Sequence, residues 1–225
     1  MRRYLFPLIL GLAGCAVLLS LGSWQLRRLA WKEDLLAAIN ARIGSAPVAL
    51  SSLPAPDPQK DRYLPVQVSG TTGDDLLVLS GVKDIGAGYE VISTLTTPDG
   101  RRILLDRGFI PEDQRHIPRP PVQMTVTGNL LWPREEDSYT PAPDQGQRLW
   151  FARNVTSMSQ FLQTEPLLVV ARQAEGQDPA IMPVPVDTSG IPNDHLGYAI
   201  TWFSLAAVWA GMTAYLLWRI RQRTD

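Results

Sequence analysis

The chain has 225 residues, with 21 lysine and arginine residues against 22 aspartate and glutamate residues, and its net charge is −1. Residues 4–26 and 196–218 form two uncharged apolar runs at its ends, and the chain between them is polar and rich in proline. Residues 45–190 hold 12 basic and 18 acidic residues. This acidic balance argues against nucleic acid or anionic lipid as the partner of the middle of the chain.

The first apolar run, residues 4–26, is long enough to cross a hydrocarbon core of about 30 Å as a helix. A cleaved lipoprotein signal is the alternative, because residues 12–15 (LAGC) resemble a lipoprotein cleavage box. The apolar run continues beyond Cys15, however, and this favours a retained span. Beyond the span, apolar residues every fourth position predict an amphipathic helical extension over residues 27–44, with Trp31, Leu35, Ile39 and Ile43 on one stripe.

The second apolar run, residues 196–218, predicts the second transmembrane helix and sets the orientation. Arg219, Arg221 and Arg223 follow it directly, so the positive-inside rule makes residues 219–225 a cytoplasmic basic tail. With two spans, both termini are then cytoplasmic. Residues 45–190 are predicted to form an extracytoplasmic domain, periplasmic in a multi-pass protein of a bacterial inner membrane.

The middle of the chain predicts a β-rich domain. Short segments with a period of two or with a continuous apolar run recur between turn residues, at residues 66–68, 76–79, 89–96, 102–110, 122–126, 149–152 and 167–171. Pro98-Asp99-Gly100 is a hairpin turn signal, and residues 156–162 predict one short helix. The fold class is therefore an α+β membrane protein, with two terminal helices flanking an antiparallel small barrel or sandwich.

Few side chains are available for chemistry. Cys15 is the only cysteine and lies inside the first span, and His116 and His195 are the only histidines. A disulfide, a thiol copper site and a multi-histidine metal site are therefore excluded. No motif of a nucleophile or a phosphate loop is present, so an enzyme is not predicted. The acidic residues 135–137 are interpreted as a solvated loop, and Asp106 and Arg107 as a structural ion pair.

Three stretches together resemble one known family. They are LGSWQLRRLAWK at residues 21–32, GYEV at 88–91 with DG at 99–100 and DRGFIP at 106–111, and PNDHLGYAITWF at 192–203. These match, in order, the entry, central and closing motifs of the Surfeit-locus cytochrome c oxidase assembly family, called Shy in yeast. The chain resembles a bacterial-type member. It departs from the family pattern at Asp194, where asparagine is common, and at Phe109, where tryptophan is common.

The resemblance implies a non-enzymatic assembly factor for the haem-copper cytochrome c oxidase, which assists delivery of haem a to subunit I or its stabilisation there. It implies subunit I and other assembly factors as partners, with contact to the haem a synthesis machinery and the lipid bilayer. Some bacterial members are thought to bind haem a through a histidine of the closing motif, and His195 is the matching residue. The alternative is a membrane scaffold that binds oxidase subunits or assembly partners without binding haem.

On a helix, His195, Tyr198 and Trp202 share one face, together with Ala199, Ala206 and Trp209. This set predicts either an axial haem ligand between two aromatic walls or an interfacial histidine with aromatic-belt neighbours. Ala206, Ala210 and Ala214 also form a seam of small residues that would let another helix approach closely. The partner would be the first span, through Gly11, Gly14 or Ser20, or a helix of an oxidase subunit.

The predicted topology is tested with reporter fusions to the full chain. A reporter placed after Gly190 should be extracytoplasmic, because the acidic middle is predicted to cross the membrane and the basic C-terminal tail to stay behind. A reporter placed after Asp225 should be cytoplasmic. A cytoplasmic signal at Gly190 would contradict the whole interpretation, whereas a reporter that is active at neither position would show only that the fusion does not fold.

Overall fold

The computed structural model describes residues 2–83 and 85–222, and the chain divides into two compact units. One unit joins the residues up to Ala38 with those from Thr188 onward, and the other is Ile39–Asp187. The helices are α1 (Arg2–Ile43), α2 (Val155–Leu162) and α3 (His195–Gln222). The strands are β1 (Val48–Ala49), β2 (Pro65–Val82), β3 (Gly86–Thr96), β4 (Arg102–Pro111), β5 (Gln123–Leu131), β6 (Leu149–Trp150) and β7 (Leu168–Glu175).

The two terminal helices, α1 and α3, are both long and apolar enough to cross a membrane. Helix α1 contains the apolar run and the predicted amphipathic extension without a break, and it ends at Ile43. On the predicted apolar stripe of that extension, Trp31 and Leu35 are exposed, whereas Ile39 and Ile43 are half-buried. The structure thus has the predicted class, in which two terminal apolar helices flank a sheet-rich domain.

The strands of the domain close into a ring. β2 pairs with β3, β3 with β4, β4 with β7, β7 with β5, and β5 again with β2. This closure is the arrangement of a small barrel, one of the two architectures that the sequence predicts. It depends on the length of β2, whose first half pairs with β5 and whose second half pairs with β3. A register shift between Thr72 and Asp75 separates the two halves.

The core has two layers because some strands are buried on both faces. Ile103 and Leu105 of β4 belong to one apolar cluster with Val169 of β7. Leu104, between them, belongs to a second cluster with Leu168 of β7, and that cluster also contains apolar side chains of helix α2 and Trp150. A strand buried on both faces has a continuous apolar run instead of an alternating pattern. This explains the runs at residues 102–110 and 167–171.

Two features of the sheet differ in detail from the sequence prediction. The segments at residues 66–68 and 76–79 are parts of the single strand β2, since the bulge between them lets one strand bend where two were expected. The ring is also parallel at one of its edges, between β4 and β7. A parallel pair needs a long crossover connection, and here β5, β6 and α2 all lie between the two strands in sequence. The hairpin turn at residues 98–100 and the short helix α2 are confirmed.

Gly108 lies where two backbone segments meet closely. The N–H of Phe109 donates to the carbonyl of Met182 at 2.8 Å, and the N–H of Met182 donates back to the carbonyl of Phe109 at 2.9 Å. Gly108 has φ +120°, and a Cβ at this position would lie 2.1 Å from the carbonyl oxygen of Met182. The position therefore requires glycine for its backbone conformation as well as for space.

We expect Gly108→Ala to destabilise the domain by roughly 2–4 kcal/mol, because backbone strain adds to the steric overlap with Met182. Thermal unfolding of the full purified chain measures this loss. Gly190→Ala is the matched control, since a Cβ at Gly190 meets no atom within 4 Å. Equal melting temperatures for the two variants would contradict the account of the Gly108 contact.

Candidate functional site

The two terminal helices pack closely through glycine residues of α1. A Cβ at Gly14 would lie 2.3 Å from the Trp209 indole, and a Cβ at Gly22 would lie 2.8 Å from the Phe203 ring. The Trp209 Nε1–H donates to the carbonyl of Gly11 at 3.1 Å. The absence of side chains at these glycines brings the helices near enough for contacts between ring and backbone, which is a common form of helix packing in membranes.

The predicted seam of small residues is only partly correct. Ala206 is 5 % exposed and belongs to the helix contact, and Gly11 and Gly14 lie on the facing helix as predicted. Ala210 and Ala214 are exposed. The contact instead follows a spacing of seven residues, with the buried Ala199 and Ala206 and then Thr213, which lies against Gly11. A seven-residue spacing keeps one helix face on its partner, whereas a strict spacing of four drifts around the helix.

His195 is the first residue of α3, and its ring contacts α1. The Nδ1 atom lies 2.8 Å from the side-chain oxygen Oε1 of Gln25. Gln25 is only 9 % exposed, and it belongs to the apolar first run of the sequence. Gln25 lies in the entry motif and His195 in the closing motif. The two residues are 170 positions apart, so no local pattern of the sequence connects them.

The two predicted aromatic neighbours of His195 have different environments. Trp202 is half-buried, two turns along α3 from His195, whereas Tyr198 is 57 % exposed. Ala199, between them in sequence, is buried. The predicted face is therefore divided. His195 and the two buried alanines lie at the contact with α1, Trp202 is half-buried, and the Tyr198 ring lies at the exposed surface of α3. The other histidine, His116, is exposed in the β domain.

The domain contains a second polar cluster, around Arg153, which follows β6. Its Nη1 atom lies 3.1 Å from Asp106 Oδ2 of β4 and 3.2 Å from Glu90 Oε2 of β3. Its Nε–H donates to Glu135 at 3.0 Å, and its Nη2 also bonds to Glu135. One guanidinium thus holds three carboxylates from three separate segments of the chain. Each of these contacts is charge-assisted.

The Arg153 cluster corrects two interpretations of the sequence. Asp106 does not pair with its neighbour Arg107, because the two side chains leave the strand in opposite directions; Arg107 contacts Gln177 instead. Glu135 is not simply solvated, because its carboxylate accepts hydrogen bonds from both the side chain and the backbone N–H of Arg153. Glu90 and Asp106 both belong to the central motif, so that motif brings two of its acidic residues to one half-buried arginine.

Burial and crowding of negative charge shift the acidity of this cluster. Burial, reinforced by the charge of Asp106, raises the pKa of Glu90 to about 7 although Arg153 opposes the shift. Burial also raises the pKa of Asp106. Burial disfavours the charged form of Arg153, but its hydrogen bonds to Glu135 and the nearby carboxylates outweigh this effect and raise the pKa of Arg153. The cluster has more negative than positive groups, so Glu90 binds a proton near neutral pH.

Among residues 2–83 and 85–222, no group of three or more His, Cys, Asp or Glu side chains is placed to hold a metal ion. In the Arg153 cluster the guanidinium takes the place that a cation would need between the carboxylates. A metal ion bound by protein side chains alone therefore has no ready site in the described part of the chain.

Comparison with known proteins gives one consistent result. The SURF1 family profile matches residues 12–207. A SURF1-like protein of Monosiga brevicollis is 32 % identical over 223 residues, which cover 89 % of this chain and 83 % of the relative. A SURF1-like protein of Rickettsia felis is 30 % identical over 84 % of this chain and 87 % of its own length. Surfeit locus protein 1 of Xenopus tropicalis is 27 % identical over 88 % of this chain and 70 % of its own length.

The raised pKa of Glu90 predicts a dependence of stability on pH. Between about pH 4.5 and pH 7 the folded protein keeps a proton that the unfolded chain has released, so stability falls as the pH rises through this window and levels off above it. Glu90→Gln has no such proton, so this fall in stability, on the order of 3 kcal/mol across the window, should be absent in the variant.

Chemical denaturation of the full chain at pH 4.5, 6 and 8 measures the Glu90 effect. The exposed Glu112 supplies the control variant, Glu112→Gln, which should keep the slope of the parent. If the slope of Glu90→Gln equals that of the parent, Glu90 titrates alike in the folded and unfolded chains, and the account of the cluster is wrong.

Proposed function

Because the chain belongs to the SURF1 family, we propose that it is an assembly factor for cytochrome c oxidase and carries out no catalysis of its own. The match covers the β domain and parts of both terminal helices, so the proposal concerns the whole architecture. Subunit I and other assembly factors are the proposed partners. The two apolar terminal helices support the proposal, since an oxidase subunit I is assembled in a membrane.

The proposed orientation places both termini in the cytoplasm and the β domain on the periplasmic side of the inner membrane. Arg219 and Arg221 lie in the last turn of α3, directly after its apolar part, as expected for a cytoplasmic end. In this orientation His195 at the start of α3 lies at the outer face of the membrane. A cofactor bound there would be reached from the outer leaflet.

The more specific proposal is that this site receives haem a while subunit I matures, with His195 as the ligand of the iron. One observation carries it: the His195 Nδ1 atom is bonded to the side chain of Gln25. Histidine ligands of metals typically have their second nitrogen held in this way, so that the first nitrogen can bind the metal. The donor set therefore fits a haem. The His195 imidazole would hold the iron of a bound haem and would tune its reduction potential.

The other residues of the site shape its walls. Trp202 is half-buried and presents an indole two turns from His195, so it would pack against a flat apolar ring. Tyr198 is largely exposed and would contact the cofactor only at the open side of the site. A site with one firm wall and one open side allows a cofactor to enter and leave, which a transfer function needs.

A scaffold that binds assembly partners without haem is the alternative, and one feature of the β domain favours it. The β2–β3 hairpin carries the exposed apolar side chains of Leu79 and Ile85, 47 % and 49 % exposed. Exposed apolar side chains at one end of a hairpin are typical of a protein contact surface. The two proposed functions differ in whether His195 binds haem, so the test concerns that residue.

We expect His195→Ala to lose the visible spectrum of bound haem, or to shift it strongly, because the iron would lose its protein ligand. The full chain is co-expressed with haem a synthesis enzymes and purified from membranes, and its absorbance is compared with that of the parent. Trp202→Ala should weaken binding without abolishing it. The exposed His116 supplies the matched control, and His116→Ala should bind haem as the parent does.

Two outcomes would change the proposal. If His195→Ala binds haem as the parent does, His195 is not the ligand. If the parent binds no haem although oxidase maturation requires the protein, the scaffold alternative is supported instead. In both cases the amount of protein in the membrane must equal that of the parent, so that loss of folding is excluded.

A further inference from the structure

We propose that Gln25 is a positioning residue for the haem site: it fixes the tautomer and the orientation of the His195 ring, so that Nε2 is the atom offered to the iron. This inference rests on the proposed haem-binding function. It adds a residue of the other terminal helix to a site that the closing motif alone does not complete. Gln25 does not contact the cofactor in this proposal, and it acts only through His195.

The position of Gln25 calls for a partner. It is the only amide side chain in the apolar residues 4–26, and it is 9 % exposed. A buried amide without a hydrogen bond is destabilising, and more so in hydrocarbon. The partner of its oxygen is His195 Nδ1, at 2.8 Å. Gly22, the nearest buried residue of the same helix, has no side chain to supply a partner, and the Gln25 oxygen bonds to the imidazole instead.

The close approach of the helices makes this bond feasible. Gly22 lies one turn before Gln25 on α1, and a Cβ there would lie 2.8 Å from the Phe203 ring of α3. Because the helix backbones are this near at Gly22, a side chain as short as glutamine reaches the first residue of the other helix. The orientation of the His195 ring therefore depends on the pairing of α1 with α3.

The chemistry of the amide decides which nitrogen is free. An amide oxygen can only accept a hydrogen bond, so Nδ1 must carry the proton in the neutral ring and Nε2 keeps its lone pair. If the amide were turned the other way, its NH₂ group would donate to Nδ1 and the proton would lie on Nε2, which then could not ligate iron. The two arrangements have opposite consequences for haem binding and can be told apart by measurement.

The first experiment reads the tautomer directly and needs no haem. The full chain is labelled with ¹⁵N-histidine, and the ring nitrogen shifts of His195 are assigned with the His116→Ala variant, which leaves one histidine. We expect the parent to carry the proton on Nδ1. Gln25→Leu, which keeps the size but removes the acceptor, should lose this preference. Ser20→Ala is the control, because Ser20 is exposed on the same helix; it should leave the tautomer unchanged.

The second experiment measures the affinity and the reduction potential of haem bound to the full chain. We expect Gln25→Leu to weaken binding about 10- to 100-fold, the usual effect of removing such a partner of a metal-ligating histidine. Gln25→Glu should retain binding and lower the reduction potential, because a carboxylate acceptor makes the imidazole a stronger electron donor. A merely structural role of Gln25 would not produce this shift of the potential.

The outcomes separate this inference from the proposed function. A parent that carries the proton on Nε2 overturns the role of Gln25, whatever the haem result. So does a Gln25→Leu variant with the tautomer and haem affinity of the parent. If the parent has the Nδ1 proton but binds no haem, the haem-binding function fails while the positioning of the ring by Gln25 stands. If Gln25→Leu does not fold, the parent tautomer and the Gln25→Glu potential still decide the question.

Discussion

The β domain depends on the ion pairs of one half-buried arginine. Arg153 connects β3, β4 and the segment after β5 through Glu90, Asp106 and Glu135. Without the Arg153 guanidinium, the buried carboxylates of Glu90 and Asp106 would lack a compensating charge, so the three contacts depend on this one residue. Burial, reinforced by the excess of carboxylates, explains why the pKa of Glu90 lies near neutrality. Since Glu90 of β3 and Asp106 of β4 both belong to the central motif, this motif helps to fix the pairing of the two strands around Arg153.

The terminal helices depend on a different constraint, the absence of side chains at a few positions. Gly11, Gly14 and Gly22 let the rings of α3 approach the backbone of α1. In an apolar medium, close van der Waals packing and hydrogen bonds between helices supply the association that the hydrophobic effect cannot. The bond of Trp209 to Gly11 lies at one end of this interface and the bond of Gln25 to His195 at the other. The packing and the candidate ligand site are thus parts of one interface.

Local patterns in the sequence predicted the elements that local physics determines. The apolar runs gave the terminal helices, Pro98-Asp99-Gly100 gave the hairpin turn, and residues 156–162 gave α2 to within one residue. The continuity of β2 and the parallel pairing of β4 with β7 were missed, because a bulge and a crossover have no distinct periodicity. The partners of Arg153 and His195 were missed because they lie far from these residues in the sequence. Asp106 lies 47 positions from Arg153, and only the folded chain brings them together.

The residues of the candidate site also differ in whether a local sequence pattern indicates them. The sequence indicated His195 and Trp202 because they share a helix with a recognisable motif, and it could not indicate Gln25, whose role exists only across the helix interface. The bond between His195 of α3 and Gln25 of α1 has a consequence for the proposed function. A ligand whose ring is held by another helix is ready to bind only while the two helices are paired. If His195 binds haem as proposed, a partner that shifts α1 against α3 would change the orientation of the ring and weaken binding, which would let the haem pass to the oxidase.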